Sequence, residues 1–250
     1  MPIYRLKNEK LWFPDPDEFE GDVVAVEGDL RPERLVAAYS QGIFPWYNDP
    51  GEIVWWHPEE RCVLHLEKLR VSHSMRNTIN RCEFTCTFDR AFEEVIEACR
   101  EGEREGETWI HDEVVENYIQ LHKIGLAHSV EVWKNGKLVG GLYGVSLGSM
   151  FCGESMFARE SNASKFGFIF LVNQLKQLGW KWIDCQVIND HLESLGAEVI
   201  SRDLFIAMLR VAMHSETIKG NWGQMDLLKY KISSDWPKFT FITGLDLGKK

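Results

Sequence analysis

The sequence predicts an α+β protein in which helices cover a mixed β-sheet, and three observations support this fold class. From about residue 61, the hydrophobic periodicity alternates in the order helix, helix, hairpin, strand, helix, strand, helix. Asn135-Gly136 lies between two β-rich runs, as a type I′ hairpin turn requires. A strand–helix–strand unit follows the hairpin, and such a unit packs its helix on a face of the sheet.

The first 60 residues are predicted to form a small N-terminal α/β domain that is rich in proline, tryptophan and turn signals. A helix is predicted with Pro32 at its first position and Gly42 just beyond its end, which are the usual start and stop residues. A turn at Gly51 then leads into a short aromatic strand. Because the regular alternation begins afterwards, we place the two domains at residues 1–60 and 61–250.

The elements of the second domain follow from their periodicity and their stop signals. Two helices come first, and the second of them ends before Gly125. The hairpin follows, and then a strand that contains Gly153. The next helix ends at Gly179, the strand after it runs through Trp180–Ile188, and a late helix begins near Asp203. The apolar positions of the first helix are Phe88, Phe92, Val95 and Cys99, and those of the helix before Gly179 are Phe168, Leu171, Val172, Leu175 and Leu178.

Composition and charge restrict the class of protein. With 44% hydrophobic residues, the 250-residue chain can build a packed core. Its start has no apolar signal core, and no run approaches the roughly 18 apolar residues of a membrane-spanning helix, so we expect a cytoplasmic protein without a membrane partner. The six cysteines lack CxxC pairs and are expected to be reduced thiols. A net charge of −10 argues against a surface that binds polyanions throughout and permits only a local basic patch.

A carboxylate and an amide occur two residues apart in the last predicted strand. Because side chains alternate along a strand, Asp184 and Gln186 are predicted to share one face, and the same alternation turns Cys185 away from them. The two residues would be roughly 6–7 Å apart at Cα, near enough for a hydrogen bond to link them. Such groups are costly in an apolar strand unless they are paired. They therefore form a satisfied core network, a pair at the solvent-exposed end of the strand, or a functional pair.

Two further features favour a functional pair. Glu154 lies beside Gly153 in a Met- and Phe-rich strand, where a ligand backbone can approach closely. Taken alone, such a carboxylate is more often a structural salt-bridge partner. Tryptophans also fall in turn-like or short segments, where rings can stack on a base, although an aromatic cluster is more often core. These tryptophans are Trp46, Trp55, Trp56 and Trp109.

Nine motifs follow one another along the chain: GIFPW, WWHPEER, TWI, HSVEVW, LVGGLYGV, FCGESMF, NASK, IDCQV and HLESLGA. In this order, from about Gly28 to Gly196, they resemble the bacterial leucyl/phenylalanyl-tRNA–protein transferases. The resemblance implies an N-terminal domain joined to a C-terminal domain of the acetyltransferase-like (GNAT) fold. It also implies that the aminoacyl group of Leu-, Phe- or Met-tRNA moves onto the N-terminal Lys or Arg of a protein, which marks that protein for degradation.

The resemblance further implies the site residues. Asp184 and Gln186 match the catalytic pair, in which the Gln186 oxygen accepts a hydrogen bond from the attacking amine while Asp184 orients and polarises the amide. Glu154 is expected to recognise a cationic group, either the amine or the side chain of the acceptor's first residue. The aminoacyl ester is already activated, so neither ATP, a metal nor another cofactor is expected. The residues that match the aminoacyl-adenosine pocket are Trp46, Trp109, Leu142, Phe151 and Met156.

The tRNA body requires a basic surface, and the sequence offers a thin one. A charge run of this kind is usually just a solvated face. We expect tRNA binding to be weak, to be carried mainly by the aminoacyl-adenosine end, and to lack a steep salt dependence. The partners would be aminoacyl-tRNA and acceptor proteins, and we expect a monomer. The candidate tRNA patch consists of Lys68, Arg70, Arg76 and Arg81.

Other interpretations of the same residues are weaker. An RNA-binding module would use the same aromatic pocket without catalysis, whereas a transferase would form a new amide from charged tRNA and a Lys- or Arg-started peptide. An acyl-CoA N-acetyltransferase needs backbone amides that cradle a pyrophosphate ahead of a helix, and RESNASK supplies no such loop. The eight histidines do not assemble a metal site, and His191 is expected to fix a loop.

Overall fold

The N-terminal part of the chain forms a small sheet with one helix. The computed structural model describes residues 3–15, 19–49, 52–101 and 110–227. The first elements are β1 (Tyr4–Leu6), β2 (Val23–Glu27), α1 (Pro32–Tyr39), β3 (Phe44–Asp49) and β4 (Glu52–Trp56). The four strands have the order β1-β2-β4-β3, with β1 parallel to β2 and the other pairs antiparallel.

The rest of the described chain forms a seven-stranded sheet. Its strands are β5 (Glu60–His65), β6 (Thr85–Phe88), β7 (Ala127–Lys134), β8 (Lys137–Leu147), β9 (Met150–Ala158), β10 (Trp182–Gln186) and β11 (Glu198–Ser201). Their order is β11-β5-β10-β9-β8-β7-β6. β9 and β10 pair in parallel and their neighbours pair antiparallel, so the predicted mixed sheet is confirmed.

Helices cover both faces of this sheet. They are α2 (His73–Asn80), α3 (Phe92–Glu101), α4 (Asp112–Lys123), α5 (Ala163–Gln177), α6 (Asp190–Ser194) and α7 (Arg202–Met213). One hydrophobic cluster joins α3, α4 and α7 to the N-terminal sheet, and the other joins α2 to α5. Consecutive residues of β10 belong to different clusters, Trp182 to the first and Ile183 to the second, as alternation along a strand requires. Of the described helices, none has both the length and the apolar character needed to cross a bilayer.

The turn signals at Gly42, Asn135-Gly136 and Gly179 are confirmed, whereas the turn predicted at Gly51 lies outside the described residues. Helix α1 begins at Pro32, and Gly42 beyond its end has a φ of 78°. Asn135 and Gly136 have φ values of 51° and 74°, so both central residues of the hairpin turn have the positive φ of a type I′ turn. Gly179 after α5 has a φ of 82°.

Other element predictions need correction. The spacing predicts Phe88 in a helix, but Phe88 ends β6, where it pairs with Val130 of β7. Asp89, with a φ of 53°, then separates the strand from α3. The strand predicted through Ile188 ends at Gln186, and Ile188 lies beyond it with 39% of its surface exposed. Strands β6 and β11 have only four residues each and lie at the edges of the sheet, so their short sequences carry little periodic signal.

Candidate active site between two diverging strands

Strands β9 and β10 separate towards one end, and the candidate active site lies in that opening. Their parallel pairing is confined to Ile183 with Phe151 and Asp184 with Cys152. Beyond these pairs, β9 continues in its ladder with β8. β10 instead ends at Gln186, whose φ is 60°, and its ladder with β5 is irregular between Asp184 and Gln186. A positive φ is uncommon in residues other than glycine, and here it turns the chain out of the sheet.

A cavity of about 930 Å³ occupies the opening. Its wall combines side chains of β8, β9 and β10 with residues of α5 and of the loop after β10. Asp184 lies behind this wall with 1% of its surface exposed. Trp109 lies outside the described residues. The predicted site residues that line the cavity are Trp46, Leu142, Phe151, Glu154, Met156 and Gln186.

A buried arginine, which is not among the predicted site residues, holds Asp184. Arg61 of β5 donates from Nε to Oδ1 at 2.8 Å and from Nη2 to Oδ2 at 2.6 Å. The two side chains are 0% and 1% exposed, so this bidentate ion pair is shielded from water. The rings of Phe44 and Phe205 lie 4.6 and 4.5 Å from the guanidinium carbon. Burial disfavours the charge on Arg61, but the Asp184 carboxylate outweighs burial and raises the pKa of the guanidinium.

The side chain of Gln186 contacts two residues of β9. Its Nε2 donates to Glu154 Oε1 at 2.9 Å and to Cys152 Sγ at 3.3 Å. Asp184 Oδ1 accepts from the main-chain N–H of Gln186 at 3.0 Å. The hydrogen bond expected to link the two residues is thus present, but it joins the Asp184 carboxylate to the main-chain N–H of Gln186 and not to its side-chain amide. The two side chains still share one face, since the Cys152 thiol contacts both of them.

Glu154 lies in the cavity wall among hydrogen-bond donors. Besides the Gln186 amide, the Tyr118 hydroxyl donates to Oε2 at 3.2 Å, and that hydroxyl is also bonded to the hydroxyl of Tyr39. Burial raises the pKa of the Glu154 carboxyl to about 7; the neighbouring hydroxyl and thiol hydrogen bonds oppose this shift, and the Asp184 charge adds to it. Protonated and ionised forms therefore coexist near neutral pH. In the described part of the chain, these partners are uncharged donors and not the salt-bridge cation considered above.

Three of the four tryptophans predicted in turn-like or short segments lie in strands of the N-terminal sheet, and the fourth, Trp109, lies outside the described residues. Trp55 and Trp56 belong to β4, and Trp55 is a core residue, 0% exposed, whose Nε1 donates to the Glu27 carbonyl at 2.9 Å. Trp46 belongs to β3, is 37% exposed and lines the cavity. The aromatic cluster is thus divided between the core and the cavity wall.

Acidic neighbours reduce the charge of the candidate tRNA patch. Glu198 forms an ion pair with Lys68, and Glu83 lies 3.9 Å from Arg81. Arg76 projects from α2, which packs on the same face of the sheet as α5. The patch residues are all exposed: Lys68, Arg70, Arg76 and Arg81.

Three further residues complete the polar network: Arg61, Cys152 and Tyr118. The sequence signal that would predict each of them differs in strength. Arg61 interrupts the apolar strand ERCVLH, and a lone buried charge requires a partner of opposite sign, which Asp184 provides. Cys152 lies two residues before Glu154, so strand alternation predicts both on one face, although the ladder of β9 with β8 is irregular at Glu154. Tyr118 gives no such signal, because it occupies the apolar side of α4 as an ordinary core residue does.

Comparison with known proteins relates both parts of the chain to one family. The family model described as leucyl/phenylalanyl-tRNA protein transferase matches residues 63–210, and the model of that family's N-terminal domain matches residues 28–59. A leucyl/phenylalanyl-tRNA–protein transferase of Maridesulfovibrio salexigens is 50% identical over 230 residues, which cover 90% of this chain and 95% of the relative. The protein of the same name from Hahella chejuensis is 46% identical over 220 residues, covering 86% and 94%. Among solved structures, L-PGS from Bacillus licheniformis aligns with a TM-score of 0.37 and 12% identity over 67% of this chain and 54% of that chain, which is too distant to assign a fold.

Proposed function

This chain belongs to the leucyl/phenylalanyl-tRNA protein transferase family, and from that membership we propose that its reaction takes place in the cavity between β9 and β10. The chain is an aminoacyltransferase that moves an aminoacyl group from tRNA to proteins. The observation that carries the assignment of the site is that Gln186, Glu154 and an apolar wall share one cavity. The proposed donors are Leu-, Phe- and Met-tRNA, and the proposed acceptors are proteins that begin with Lys or Arg, which the transfer marks for degradation.

The apolar wall fits the side chain of the donor. Leu142, Phe151 and Met156 provide a surface suited to an aliphatic or aromatic side chain that is not branched at Cβ, and the methionine can adapt to either shape. A β-branched side chain would fit such a channel poorly, a discrimination of about 1–3 kcal/mol. Trp46 at the cavity wall is proposed to stack on the terminal adenosine. The TWI motif supports the same role for Trp109.

The polar wall fits the acceptor amine. Among the described residues, both side-chain hydrogen bonds of Gln186 use Nε2, and its Oε1 is proposed to accept a bond from the attacking amine. An amide is a poor base, so Gln186 orients the amine, and Glu154 offers charge to a cationic group of the acceptor. An α-amine has a reference pKa of about 7.7–8.0, so it must lose a proton before it attacks. The neutral amine nitrogen then bonds to the carbonyl carbon, the ester C–O bond breaks, and one proton of the attacking nitrogen passes to the departing ribose oxygen.

Truncation of the amide tests this proposal. In a transfer assay with charged tRNA and an Arg-started peptide, Gln186→Ala should lower the rate of amide formation at least about tenfold, because a hydrogen bond made to the reacting amine is lost. Asp184→Asn, which keeps the shape of the side chain, should lower the rate by a similar factor. Gln120→Ala removes an exposed amide from α4 and should leave the rate unchanged.

The same assay separates the proposal from its alternatives. Near-normal rates in folded Gln186→Ala and Asp184→Asn proteins would refute the assignment of the site. Binding of charged tRNA without any new amide in the wild-type protein would favour the RNA-binding module instead.

Several finer features are proposed together with this function. A mixed sheet whose parallel pair opens at one end, with helices on both faces, supports a GNAT-like fold for the second domain. We further propose domains at residues 1–60 and 61–250, a monomeric and cytoplasmic protein that needs no cofactor, and a tRNA body that rests on the candidate tRNA patch.

A further inference from the structure

Cys152 lies between the two residues proposed for catalysis, and the proposed mechanism does not use it. Its thiol donates to Asp184 Oδ2 at 3.3 Å and accepts a hydrogen bond from Gln186 Nε2 at 3.3 Å. The residue is 0% exposed. Its place is fixed by the backbone, since Cys152 of β9 is the direct partner of Asp184 in β10.

The contacts of one thiol with two residues of β10 make this arrangement a bridge. Cys152 pairs with Asp184 in the ladder, both strands become irregular beyond this pair, and the Gln186 amide donates to both Cys152 and Glu154. Burial, together with the charges of Asp184 and Glu154, raises the pKa of the Cys152 thiol well above its ordinary value. The proton therefore stays on the sulfur, which can donate it to the carboxylate and offer a lone pair to the amide.

We propose that Cys152 is a positioning residue that couples the charge of Asp184 to the side chain of Gln186 during aminoacyl transfer, an inference that rests on the proposed function of the cavity. Arg61 fixes the carboxylate, the carboxylate holds the thiol hydrogen, and the sulfur holds Nε2 of the amide. Glu154 holds the same nitrogen from the other side, so the amide has one favoured orientation. Hydrogen bonds in such a chain polarise one another, which makes Oε1 a better acceptor for the amine.

Two substitutions of Cys152 separate the hydrogen bonds from the volume of the side chain. Cys152→Ala removes both bonds, and kcat for transfer to an Arg-started peptide should fall about tenfold while the KM values of tRNA and peptide stay within about twofold. Cys152→Ser keeps a donor and an acceptor at the same place, so its kcat should stay within about threefold of the wild-type value. Equal loss in the two variants would overturn the proposal.

Cys86→Ala provides the matched control. Cys86 is a buried thiol on β6, at the opposite edge of the sheet from β5 and β11, and 6% of its surface is exposed. Its truncation removes the same atoms from a core without touching the network. The variant should keep its kcat, and urea unfolding should show a loss of stability comparable with that of Cys152→Ala. A tenfold loss of kcat in Cys86→Ala as well would show that buried truncations in general slow transfer, and would overturn the proposal.

The Gln186→Ala background provides the decisive measurement. If Cys152 acts through Gln186, then Cys152→Ala should lower kcat in the wild-type background and cause no further loss when Gln186 is absent. The same factor in both backgrounds would indicate a general structural effect and would overturn the proposal, as would an unchanged kcat in the single variant. A wild-type kcat in Gln186→Ala would refute the function proposed for the site itself. The proposed role of Cys152 would then be refuted as well.

Discussion

Glu154 and Asp184 belong to one hydrogen-bond network, but their surroundings differ. Asp184 faces the guanidinium of Arg61 at 2.6 Å, whereas the described donors around Glu154 are uncharged. Burial, to which the charge of Asp184 adds, raises the pKa of Glu154 to about 7. Two carboxyl groups in contact through a shared neighbour can thus have different tasks, one with a fixed charge partner and one that titrates in the neutral range.

Glu154→Gln should therefore remove a pH dependence from acceptor binding. In the wild-type protein, the KM of an Arg-started peptide should fall as the pH rises from 6 through about 7, because the ionised carboxylate attracts the cation. At pH 7.5 the variant should show a peptide KM about tenfold higher, the typical effect of losing a charge-assisted hydrogen bond. The KM of an aminoacyl-adenosine mimic should not change. Equal losses on peptide and mimic would contradict the proposed role.

Rising pH should weaken the stability of the wild-type protein relative to Glu154→Gln, although it strengthens peptide binding by the wild-type protein. The folded protein holds the Glu154 proton more tightly than the unfolded chain does, since the pKa rises from 4.5 to about 7 on folding. The contribution of this group is therefore complete below pH 4.5 and is lost as the pH rises through about 7. The difference in melting temperature between Glu154→Gln and the wild type should shift in favour of the variant from pH 5 to pH 8. A constant difference would show that Glu154 does not titrate in this range.

At the scale of elements, local periodicity predicts part of the site but not the strand pairing that brings its residues together. Alternation along β10 predicts Asp184 and Gln186 on one face, and the contacts of both side chains with the Cys152 thiol agree with this prediction. This periodicity does not predict which strands pair with β10, because β5, which carries Arg61, lies more than a hundred residues before β10 in the chain. The positive φ of Gln186 is likewise absent from the sequence pattern, since it depends on how β10 leaves the sheet.

The segment after α7 shows how tertiary packing defines a stretch that the sequence leaves undetermined. Trp222 is 2% exposed, its ring stacks on His128 with centroids 3.8 Å apart, and its main-chain N–H donates to Asp89 Oδ2 at 2.7 Å. His128 Nδ1 is bonded to the same carboxylate oxygen at 2.8 Å. This segment has no periodicity of its own and is held by contacts with strands far away in sequence.

Trp222→Ala should consequently destabilise the whole sheet. Loss of a buried indole ring costs about 3–5 kcal/mol, so the free energy of unfolding in urea should fall by an amount in that range. Trp12→Ala, which truncates a tryptophan that is 49% exposed, is the matched control and should change the free energy by less than about 1 kcal/mol. Similar small changes in both variants would mean that the segment contributes little to the stability of the fold.

At the scale of the whole molecule, composition and charge bound the function without identifying it. Motifs in a fixed order indicate the family, and the match over residues 63–210 and 28–59 confirms it. The net charge of −10 still constrains how tRNA binds. Since Glu198 and Glu83 approach two of the four basic residues of the candidate tRNA patch, few cations remain for the tRNA backbone.

Binding of tRNA should therefore depend only moderately on salt. Each neutralised phosphate contributes about −0.7 to −0.9 to the slope of log K against log salt, so the two patch cations for which the described residues show no ion pair predict a slope no steeper than about −2. A nonhydrolysable, amide-linked aminoacyl-tRNA would be titrated by fluorescence anisotropy between 50 and 300 mM salt, a range chosen to span roughly physiological ionic strength.

Arg76→Glu should reduce the magnitude of this salt slope by about one. Arg210→Glu makes the same charge change at an exposed position of α7, which packs on the other face of the sheet, and should leave the slope unchanged. A slope steeper than about −4, or equal effects of the two reversals, would show that the tRNA body binds elsewhere, because the candidate tRNA patch cannot neutralise that many phosphates.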